Sequence, residues 1–550
     1  MKLYAIALLA WLPAIASGDV VRIHDLAPDE LAALRDRHDF WGVDWRQGYA
    51  VFDLQPDQRR RLEKAGFKIT TDDLRTGELE NWRAAAERIA TRGDVSGTIP
   101  DFACYRTVDA THTALAALAS AFPDRASWVD IGDTWQAGAG SEPGGSIFAL
   151  VITNSNSPYA KPPLVIIAAQ HARELATAEI ATRYAELLLQ NPGDDPDIDW
   201  LLDHREIHIV AQANPDGRRR VEQGATLWRK NHNESACPSG NLSSTWPGID
   251  LNRNSTFLWG DFSSGDACSP TYRGVVAASE PETQAVQAYL ATVFDVQRSA
   301  NDLISPAPSD AEGVFISLHS FSELVLFPWE GLGGQNENNA PNHNGLAILG
   351  RRFGFLNDYA VGRWQFLGPA GGSTVDFAYG EFGVAAYTFE VGTSFTQSCA
   401  SFESTVWPDN RDALLLATKA ARLPYQAPAG PEITALQAGF SSGAMRVSGT
   451  ADDTRYFGGG VTEPPADPVS SVVQLRVSLG LPEHLASESW VFPVNAPADR
   501  ITFDVAMPAP LPAEGVLFVT AVDDSGQTGL PRVVAYSDLI HANGFEAETP

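Results

Sequence analysis

Apolar runs alternate with longer amphipathic stretches through the middle of the chain, from residue 102 to residue 426. Each short run is almost continuously apolar, as a buried strand is, and each longer stretch repeats its apolar positions at helical spacing. The strand candidates are 146–153, 164–169, 207–210, 314–318 and 385–389. The helix candidates are 110–122, 175–190, 280–293, 346–359 and 412–421. This alternation predicts an α/β fold whose largely parallel or mixed sheet is covered by helices on both faces.

Residues 19–100 form a smaller unit with shorter elements. Its helix candidates begin at residues that favour a first helical turn, such as Pro28 and Asp29. A polar, Arg-rich stretch over 71–97 then leads into the middle of the chain. The strand candidates are 20–23, 49–54 and 67–70, and the helix candidates are 28–37 and 57–64. The pattern predicts a two-layer α+β unit.

The pattern changes again after Pro428. Residues 430–550 contain no Lys, are rich in Pro and Gly, and carry short alternating runs such as 472–479 and 516–522. Short alternating strands between turn residues are typical of antiparallel sheets with one solvent-facing side. We therefore expect an all-β sandwich appended over 430–550.

The first residues have the pattern of a secretory signal peptide. Lys2 supplies the positive start, residues 3–12 supply the apolar stretch, and Ala14-Ile15-Ala16 fits a cleavage site, so we expect a signal peptide over 1–16. The apolar stretch is too short to cross a bilayer, and no later run reaches the roughly 20 apolar residues of a transmembrane helix. The sequence predicts a protein that is secreted, extracellular or periplasmic, with no membrane span.

Charge narrows the function classes. The 550 residues include 39 Lys and Arg against 68 Asp and Glu, a formal net charge of −29. Binding to nucleic acid or to anionic lipid needs a basic surface, so neither is expected as a partner. The 44% apolar content can fill large cores. An acidic soluble enzyme or an acidic binding protein remains.

Four cysteines in an exported chain indicate two disulfides, for which three pairings exist. Cys237 and Cys268 are close in sequence and lie in polar loops, which suits a bridge between them. Cys104 and Cys399 would then form the second bridge. The cysteines lack the Cys-x-x-Cys spacing that would favour a soft metal site.

Three strand candidates end in residues that can perform chemistry. One runs into His171 and Glu174, the second into His319, and the third into Glu390. Sites in open α/β sheets form at the carboxyl ends of strands, so these side chains can meet in one cleft. Two His and one Glu are a zinc ligand set that leaves a position for water, and a further Glu can act as the base. A His-x-x-Glu spacing alone is common at surface helix starts, so the wider context decides.

Several motifs follow in a fixed order along residues 102–426. They are Asn214-Pro215-Asp216-Gly217, Leu227-Trp228-Arg229-Lys230-Asn231, the run from Gly248 to Asn254, and Ser279-Glu280-Pro281-Glu282-Thr283. With His171, Glu174, His319 and Glu390, this set resembles the zinc metallocarboxypeptidases of the carboxypeptidase A/B family. The resemblance implies a mixed sheet of the eight-stranded type, one Zn²⁺ per catalytic domain over 102–426, and hydrolysis of the C-terminal peptide bond of peptides or proteins.

The resemblance also implies a role for each matching residue. His171, Glu174 and His319 match the zinc ligands, and Glu390 matches the catalytic carboxylate. Asn252 and Arg253 match the pair that binds the terminal carboxylate of the substrate, which a guanidinium can grip with two hydrogen bonds. Arg229 matches the arginine that stabilises the oxyanion, and Arg173 matches one that lines the cleft. Each arginine could instead form an ordinary surface ion pair.

Two departures from the family pattern concern the substrate. The family's substrate-clamping Tyr falls at Leu367, which cannot donate a hydrogen bond, and Phe321 stands where a Tyr often follows the third ligand. Tyr379 and Tyr387 are nearby in sequence but have the wrong spacing. We expect weaker clamping of the substrate, with the metal chemistry retained.

The preference for the last residue of the substrate stays open at the level of sequence. Leu326, Glu330 and Thr374 are expected near its side chain, with Asp376 as a second candidate acid. An acid at this place would favour Lys or Arg, whereas Leu326 and Thr388 would favour apolar groups. Glu330 could also be a solvated loop residue.

The resemblance gives residues 19–100 a role as well. Family members are often zymogens with a small α+β pro-region and a segment that is cut on activation, and several Arg residues between Arg75 and Arg92 are candidate cut sites. We expect a monomer acting on substrates with a free C-terminus. The alternatives are a related zinc amidohydrolase or endopeptidase of the same fold, and an inert peptidase-like binding protein.

Overall fold

The structure is a computed structural model of the chain. It describes residues 18–92, 97–99, 102–138, 145–190, 195–237, 246–299, 302–332, 339–441, 444–454, 469–508 and 510–537, without the side chains of 85–92. The predicted signal peptide over 1–16 lies outside these residues. None of the described helices is both long enough and apolar enough to cross a bilayer.

The N-terminal part is a four-stranded antiparallel sheet with helices packed against it. The strands lie in the order β2-β3-β1-β4, so β1 pairs with both β3 and β4. Its elements are β1 (Asp19–His24), α1 (Pro28–Arg35), β2 (Asp39–Asp44), β3 (Tyr49–Leu54), α2 (Pro56–Ala65), β4 (Ile69–Thr71) and α3 (Asp73–Arg92). The stretch over 71–97 was expected to be a polar connection, but most of it is helix α3.

A mixed eight-stranded sheet forms the centre of the molecule. The strand order is β13-β12-β14-β11-β9-β10-β8-β7, in which β10, β9, β11 and β14 run parallel to one another. Its strands are β7 (Ala126–Asp133), β8 (Ser146–Ile152), β9 (Pro163–Ile167), β10 (Glu206–Val210), β11 (Val314–His319), β12 (Leu324–Leu326), β13 (Ala360–Gly362) and β14 (Ala385–Glu390); a short hairpin of β5 (Thr98–Ile99) and β6 (Phe102–Arg106) precedes it. The five strands predicted for this region are confirmed.

The middle strands of this sheet are mostly apolar and almost fully buried because helices cover both faces. The helices are α4 (Val108–Ala121), α5 (Trp135–Gly138), α6 (Leu175–Gln190), α7 (Pro196–His204), α8 (Pro215–Glu222), α9 (Pro281–Val293), α10 (His343–Asn357), α11 (Thr374–Phe382), α12 (Cys399–Ser401) and α13 (Trp407–Ala420). The five predicted helices are confirmed, with ends shifted by up to five residues. The parallel strands β9, β11 and β14 end at the same edge of the sheet.

The C-terminal part consists of two antiparallel sheets around their own apolar core. They are ordered β15-β16-β19 and β18-β17-β20-β21. The strands are β15 (Glu432–Ser441), β16 (Ala444–Asp452), β17 (Val472–Leu479), β18 (Ser489–Ala498), β19 (Arg500–Ala506), β20 (Glu514–Asp523) and β21 (Arg532–Ser537). Helix α7 of the central part contacts these strands. The rings of Trp200 and Phe518 meet edge to face, and Asp197 Oδ1 accepts from Val533 N at 3.0 Å.

Both expected disulfides are present. Cys237 is bonded to Cys268, and Cys104 is bonded to Cys399. The second bridge joins β6 to α12, near the loop that follows β14. The two bridges therefore fix segments that are separated by 31 and 295 residues in sequence.

Candidate active site

The ends of β9, β11 and β14 bring together the residues that the sequence singled out. His319 and Glu390 are the last residues of β11 and β14 and lie opposite each other in the ladder. His171 and Glu174 follow β9 in the turn that precedes α6. Glu174 Oε1 lies 2.7 Å from His171 Nδ1, and Glu174 Oε2 lies 3.2 Å from His319 Nδ1. The two Nδ1 atoms are 3.0 Å apart, so three buried side chains point to one place.

These three side chains fit a zinc ion. Their nitrogen and oxygen atoms all lie within 4.8 Å of one another, and among the described residues no other group of three His, Cys, Asp or Glu comes as close. Two imidazoles and one carboxylate are the donor set of catalytic zinc sites with a position left for water. The outer nitrogens of both rings are also held: His171 Nε2 lies 3.1 Å from Asp250 Oδ1, and His319 Nε2 lies 2.9 Å from Ser317 Oγ.

Asp250 is a residue whose importance sequence reasoning missed. It is fully buried and, besides His171, its Oδ2 accepts from Arg229 Nη2 at 2.9 Å. It also begins the short turn Leu251–Arg253 by accepting from Asn252 N at 3.0 Å. One carboxylate thus contacts three parts of the site. They are His171, which is a candidate metal ligand, Arg229, which is the candidate for stabilising the oxyanion, and the turn that contains Asn252 and Arg253. The available signal was its position inside the 248–254 motif.

Burial and neighbouring charges shift the pKa values of Glu174, Asp250 and His171. Burial alone would raise the pKa of Glu174, but His171 and His319 hold it well below its usual range. Burial also opposes the charge of Asp250, and Arg229 and Arg253 outweigh it, so the pKa of Asp250 is far below normal. Burial, followed by the charge of Arg229, lowers the pKa of His171. The cluster is therefore poised to present the ionised Glu174 and a neutral His171 to a cation, while the ionised Asp250 supports His171 from its outer nitrogen.

Glu390 faces the cleft beside this cluster. Desolvation of its carboxylate raises the pKa of Glu390 to about 8, against the opposing charge of His319. A cation held by the neighbouring ligands would favour the carboxylate and bring this pKa down. Such a carboxylate can accept a proton near neutral pH and return it.

The cleft itself has a volume of about 740 Å³, including its open mouth. Three arginines line it, Arg35, Arg229 and Arg253, and Arg253 Nη1 donates to Asn252 O at 2.6 Å. The lining residues are Arg35, Phe40, Trp41, Gly42, His171, Glu174, Arg229, Asn252, Arg253, Pro270, Thr271, Ser320, Phe321, Leu326, Glu330, Trp364, Leu367, Gly368, Ala370, Thr388 and Glu390. The structure thus places His171, Glu174, Glu390, Arg229, Asn252, Arg253 and Glu330 in one cavity. His319 lies directly behind it, with Nδ1 3.2 Å from Glu174 Oε2.

Two residues expected at the substrate do not line this cavity. Arg173 is only 1% exposed and donates from Nη1 to Asp39 Oδ1 at 2.8 Å, with its guanidinium 4.2 Å from the ring centre of Phe395. Thr374 begins α11 and is directed inward, where its hydroxyl accepts from Gln170 Nε2 at 2.8 Å. Neither is free to contact a substrate in this structure, because each already has buried partners.

Leu367 and Phe321 do line the cleft, as apolar wall. The two tyrosines considered as substitutes lie elsewhere, since Tyr379 bonds to Asn342 and Tyr387 donates to Leu346 O. Among the described residues no tyrosine lines the cavity.

The N-terminal sheet reaches into the cleft. Arg35, at the end of α1, donates to the carbonyls of Leu367, Gly368 and Pro369 at 2.7, 3.1 and 2.5 Å. Residues 40–42 of β2 form part of the cavity wall. The apolar core of this part is also continuous with Leu324 and Leu326 of β12. The N-terminal part therefore covers the mouth of the site.

Comparison with known proteins gives a consistent result. A model of the zinc carboxypeptidase family (Peptidase_M14) matches residues 111–415. Zinc carboxypeptidase A 1 of Drosophila melanogaster is 28% identical over 327 residues, which are 58% of this chain and 68% of that protein. Carboxypeptidase A1 of Homo sapiens is 25% identical over 296 residues, covering 53% and 63%. The matched region thus spans about two thirds of the length of these relatives.

A solved structure supports the fold. The carboxypeptidase A of Helicoverpa armigera superposes with a TM-score of 0.58 at 23% identity, over 74% of this chain and 99% of that chain. At this identity the similarity speaks for the fold alone. It confirms the expected carboxypeptidase-like architecture of the central mixed sheet.

Proposed function

Because the chain belongs to the zinc carboxypeptidase family, we propose that it is a secreted exopeptidase that hydrolyses the C-terminal peptide bond of peptides and proteins. The observation that carries this proposal is the shared cleft: Arg253 and Asn252 line the same cavity as Glu390 and as His171 and Glu174, which form one cluster with His319. A pair that grips a carboxylate is useful mainly for a free C-terminus.

Zn²⁺, one ion held by His171, Glu174 and His319, would supply Lewis acidity, which acidifies water and polarises a carbonyl. Arg253 and Asn252 bind the terminal carboxylate and so place the last peptide bond beside Glu390. Glu390 removes a proton from the attacking water, and the oxygen of that water bonds to the carbonyl carbon. Arg229 donates hydrogen bonds to the oxyanion that develops, and Glu390 then passes the proton to the leaving nitrogen as the C–N bond breaks.

The exopeptidase mode is tested at Arg253. Substitution R253A should lower kcat/KM on blocked dipeptides such as hippuryl-phenylalanine and hippuryl-arginine by about 30- to 1000-fold, since one partner of a charge pair is lost. The kcat/KM of R253K should lie between those of the parent and R253A, because Lys keeps the charge but cannot form the two parallel hydrogen bonds of a guanidinium with a carboxylate. The same dipeptides with an amidated C-terminus should be poor substrates for all three proteins. Unchanged turnover by R253A, or equal turnover of the amides, would indicate an endopeptidase or amidohydrolase.

We further propose that residues 1–16 direct export and are removed, that 19–100 act as a pro-region of a zymogen, that 102–426 are the catalytic domain and that 430–550 are an appendage. The coverage of the cleft by Arg35 and by residues 40–42 supports the zymogen. The candidate cut sites at Arg75 and Arg92 lie within α3, and residues 93–96 lie outside the described part of the chain. The two disulfides suit an oxidising compartment.

The zymogen proposal is tested at Asp39. Its ion pair with Arg173 is buried, with side chains 4% and 1% exposed, and removal of one partner of such a pair costs about 3–5 kcal/mol. We expect D39A to raise the activity of the uncut chain tenfold or more on hippuryl-phenylalanine, measured as a rate before and after limited trypsin digestion. D57A, at an exposed acid of α2, is the matched control. If both variants match the parent before digestion, this ion pair does not restrain the N-terminal part.

A further inference from the structure

The loop over 391–398, which joins β14 to α12, contacts the turn that carries one of the candidate zinc ligands; we call it the support loop. Its first residue, Val391, donates from N to His319 O at 2.7 Å. The hydroxyl of Ser320, the residue after that ligand, donates to Ser394 O at 3.1 Å. Two hydrogen bonds thus hold the His319 turn to the support loop.

The support loop also contacts the turn that carries a second ligand. Phe395 O accepts from Leu175 N at 3.3 Å, and Leu175 directly follows Glu174. The two turns are themselves joined, because Ser320 N donates to Glu174 Oε2 at 3.1 Å. A shift of the support loop would therefore displace both ligands, and zinc is bound more weakly when the groups that orient its ligands are lost.

The N-terminal part holds one side of the support loop. Arg75 Nη2 donates to Thr393 O at 3.1 Å. The ring centre of Trp41 lies 5.5 Å from the ring centre of Phe395. In the uncut chain the support loop is therefore packed between the ligand turns and the N-terminal part.

The proposed activation would remove these contacts. Each candidate cut from Arg75 to Arg92 separates Trp41 and the side chain of Arg75 from the central part. A cut at Arg92 also removes Glu78, whose Oε2 accepts from Ser394 Oγ at 3.0 Å. Once the N-terminal part has left, the support loop depends on contacts that the mature enzyme keeps.

Strand β6 supplies such contacts, and it follows every candidate cut site in the chain. Cys104 of β6 is bonded to Cys399, the residue directly after the support loop. Tyr105 is 1% exposed and donates from its hydroxyl to Gln397 O at 2.8 Å. One covalent bond and one buried hydrogen bond thus join β6 to the end of the support loop. Cys104 lies before the residues that the family model matches, 111–415.

Strand β6 is itself fixed to α6, the helix that begins after Glu174. Arg106, the last residue of β6, forms ion pairs with Glu179 and Glu186 of that helix, at 3.2 and 2.7 Å. These contacts lie within the central part and do not involve the N-terminal part. Strand β6 can therefore stay in place and hold the support loop after activation.

We propose that the Cys104–Cys399 bridge and Tyr105 keep the zinc ligands in position after the N-terminal part is released, an inference that rests on the proposed zymogen. Tyr105 and Cys399 are positioning residues, since they act on Glu174 and His319 through the support loop. In the uncut chain the N-terminal part and β6 hold this loop together, so the loss of one is tolerated. In the mature enzyme β6 alone of the two remains.

The test is a zinc titration of apo-protein, before and after limited trypsin digestion and inhibition of the trypsin. After digestion, the zinc affinity of C104S/C399S should fall about 10- to 100-fold, the effect of losing groups that orient metal ligands. The affinity of digested Y105F, which loses one hydrogen bond and keeps its ring, should fall about 3- to 10-fold. Before digestion both variants should stay within about threefold of the parent, because the N-terminal part still holds the loop.

Two controls match these changes. C237S/C268S removes the other bridge, and its zinc affinity relative to the parent should be the same before and after digestion. Y159F changes a tyrosine that stacks on His204, at the opposite edge of the sheet from the ligands, and should titrate as the parent does.

The possible results separate this inference from the zymogen beneath it. Equal losses of zinc affinity by C104S/C399S before and after digestion overturn the inference, because a merely structural bridge would act in both forms. A parent whose rate on hippuryl-phenylalanine rises on digestion, with parental zinc affinity in both digested variants, overturns this inference alone. A parental rate that digestion leaves unchanged overturns the zymogen proposal and this inference with it.

Discussion

The substitution E390Q should lower kcat on blocked dipeptides by about 10²- to 10⁴-fold, the range that a positioned general base contributes. Gln has nearly the shape of Glu but cannot take the proton of the attacking water. Because Glu390 is also the group that returns the proton to the leaving nitrogen, both halves of the reaction lose their proton carrier. The measurement is kcat and KM for hippuryl-arginine and hippuryl-phenylalanine, with KM expected to stay within about threefold since Arg253 and Asn252 are untouched.

The control for E390Q is the metal content of the purified protein. Glu390 is not one of the three side chains whose ligand atoms converge, so the zinc-to-protein ratio should equal that of the parent. H319A should lose both the zinc and the turnover. If E390Q keeps its zinc and still hydrolyses dipeptides at the parental rate, Glu390 is not the base. A parent that binds zinc and shows no Glu390-dependent hydrolysis would favour an inert binding protein.

The central fold and the candidate ligands could be predicted from sequence because one physical regularity places them. Continuous apolar runs predict strands buried on both faces, and parallel strands end at one edge. His171, His319 and Glu390 each follow such a run directly, so their convergence needs only the strand order. In the structure His319 and Glu390 are partners in the parallel ladder of β11 and β14, so the two side chains lie side by side at that edge.

Contacts between distant segments were harder to predict because no local pattern encodes them. Arg173 matches a family position that lines the cleft, yet its guanidinium donates to Asp39, which is 134 residues earlier in the chain. Thr374 stands near the expected place, but the first turn of α11 directs its hydroxyl to Gln170. Glu330 could be named from its spacing after His319, whereas its position depends on hydrogen bonds with Thr388 and Asp376, which are 58 and 46 residues away.

Asp250 is the residue whose role at the site was least predictable from sequence. Its substitution should have the second of the two largest effects we expect. The carboxylate binds His171 through Oδ1 and Arg229 through Oδ2, so D250A removes the partner of both at once. Loss of a group that orients a metal ligand weakens zinc affinity about 10- to 100-fold. Loss of one donor to an oxyanion costs about 10²- to 10³-fold in kcat. With zinc in excess the second effect remains, whereas with limiting zinc both should be seen.

The experiment is therefore a zinc titration of apo-protein, followed by kcat at saturating zinc, for the parent, D250N and D250A. D250N keeps the size and an acceptor oxygen for His171 but lacks the charge that opposes Arg229, so it should retain more zinc affinity than D250A while losing kcat. D216N, at a buried acid whose oxygen accepts from Gln136 N outside the cleft, is the matched control. If D250A binds zinc as the parent does and loses no kcat at saturating zinc, Asp250 does not orient the site. Its contacts to His171 and Arg229 would then contribute to folding alone.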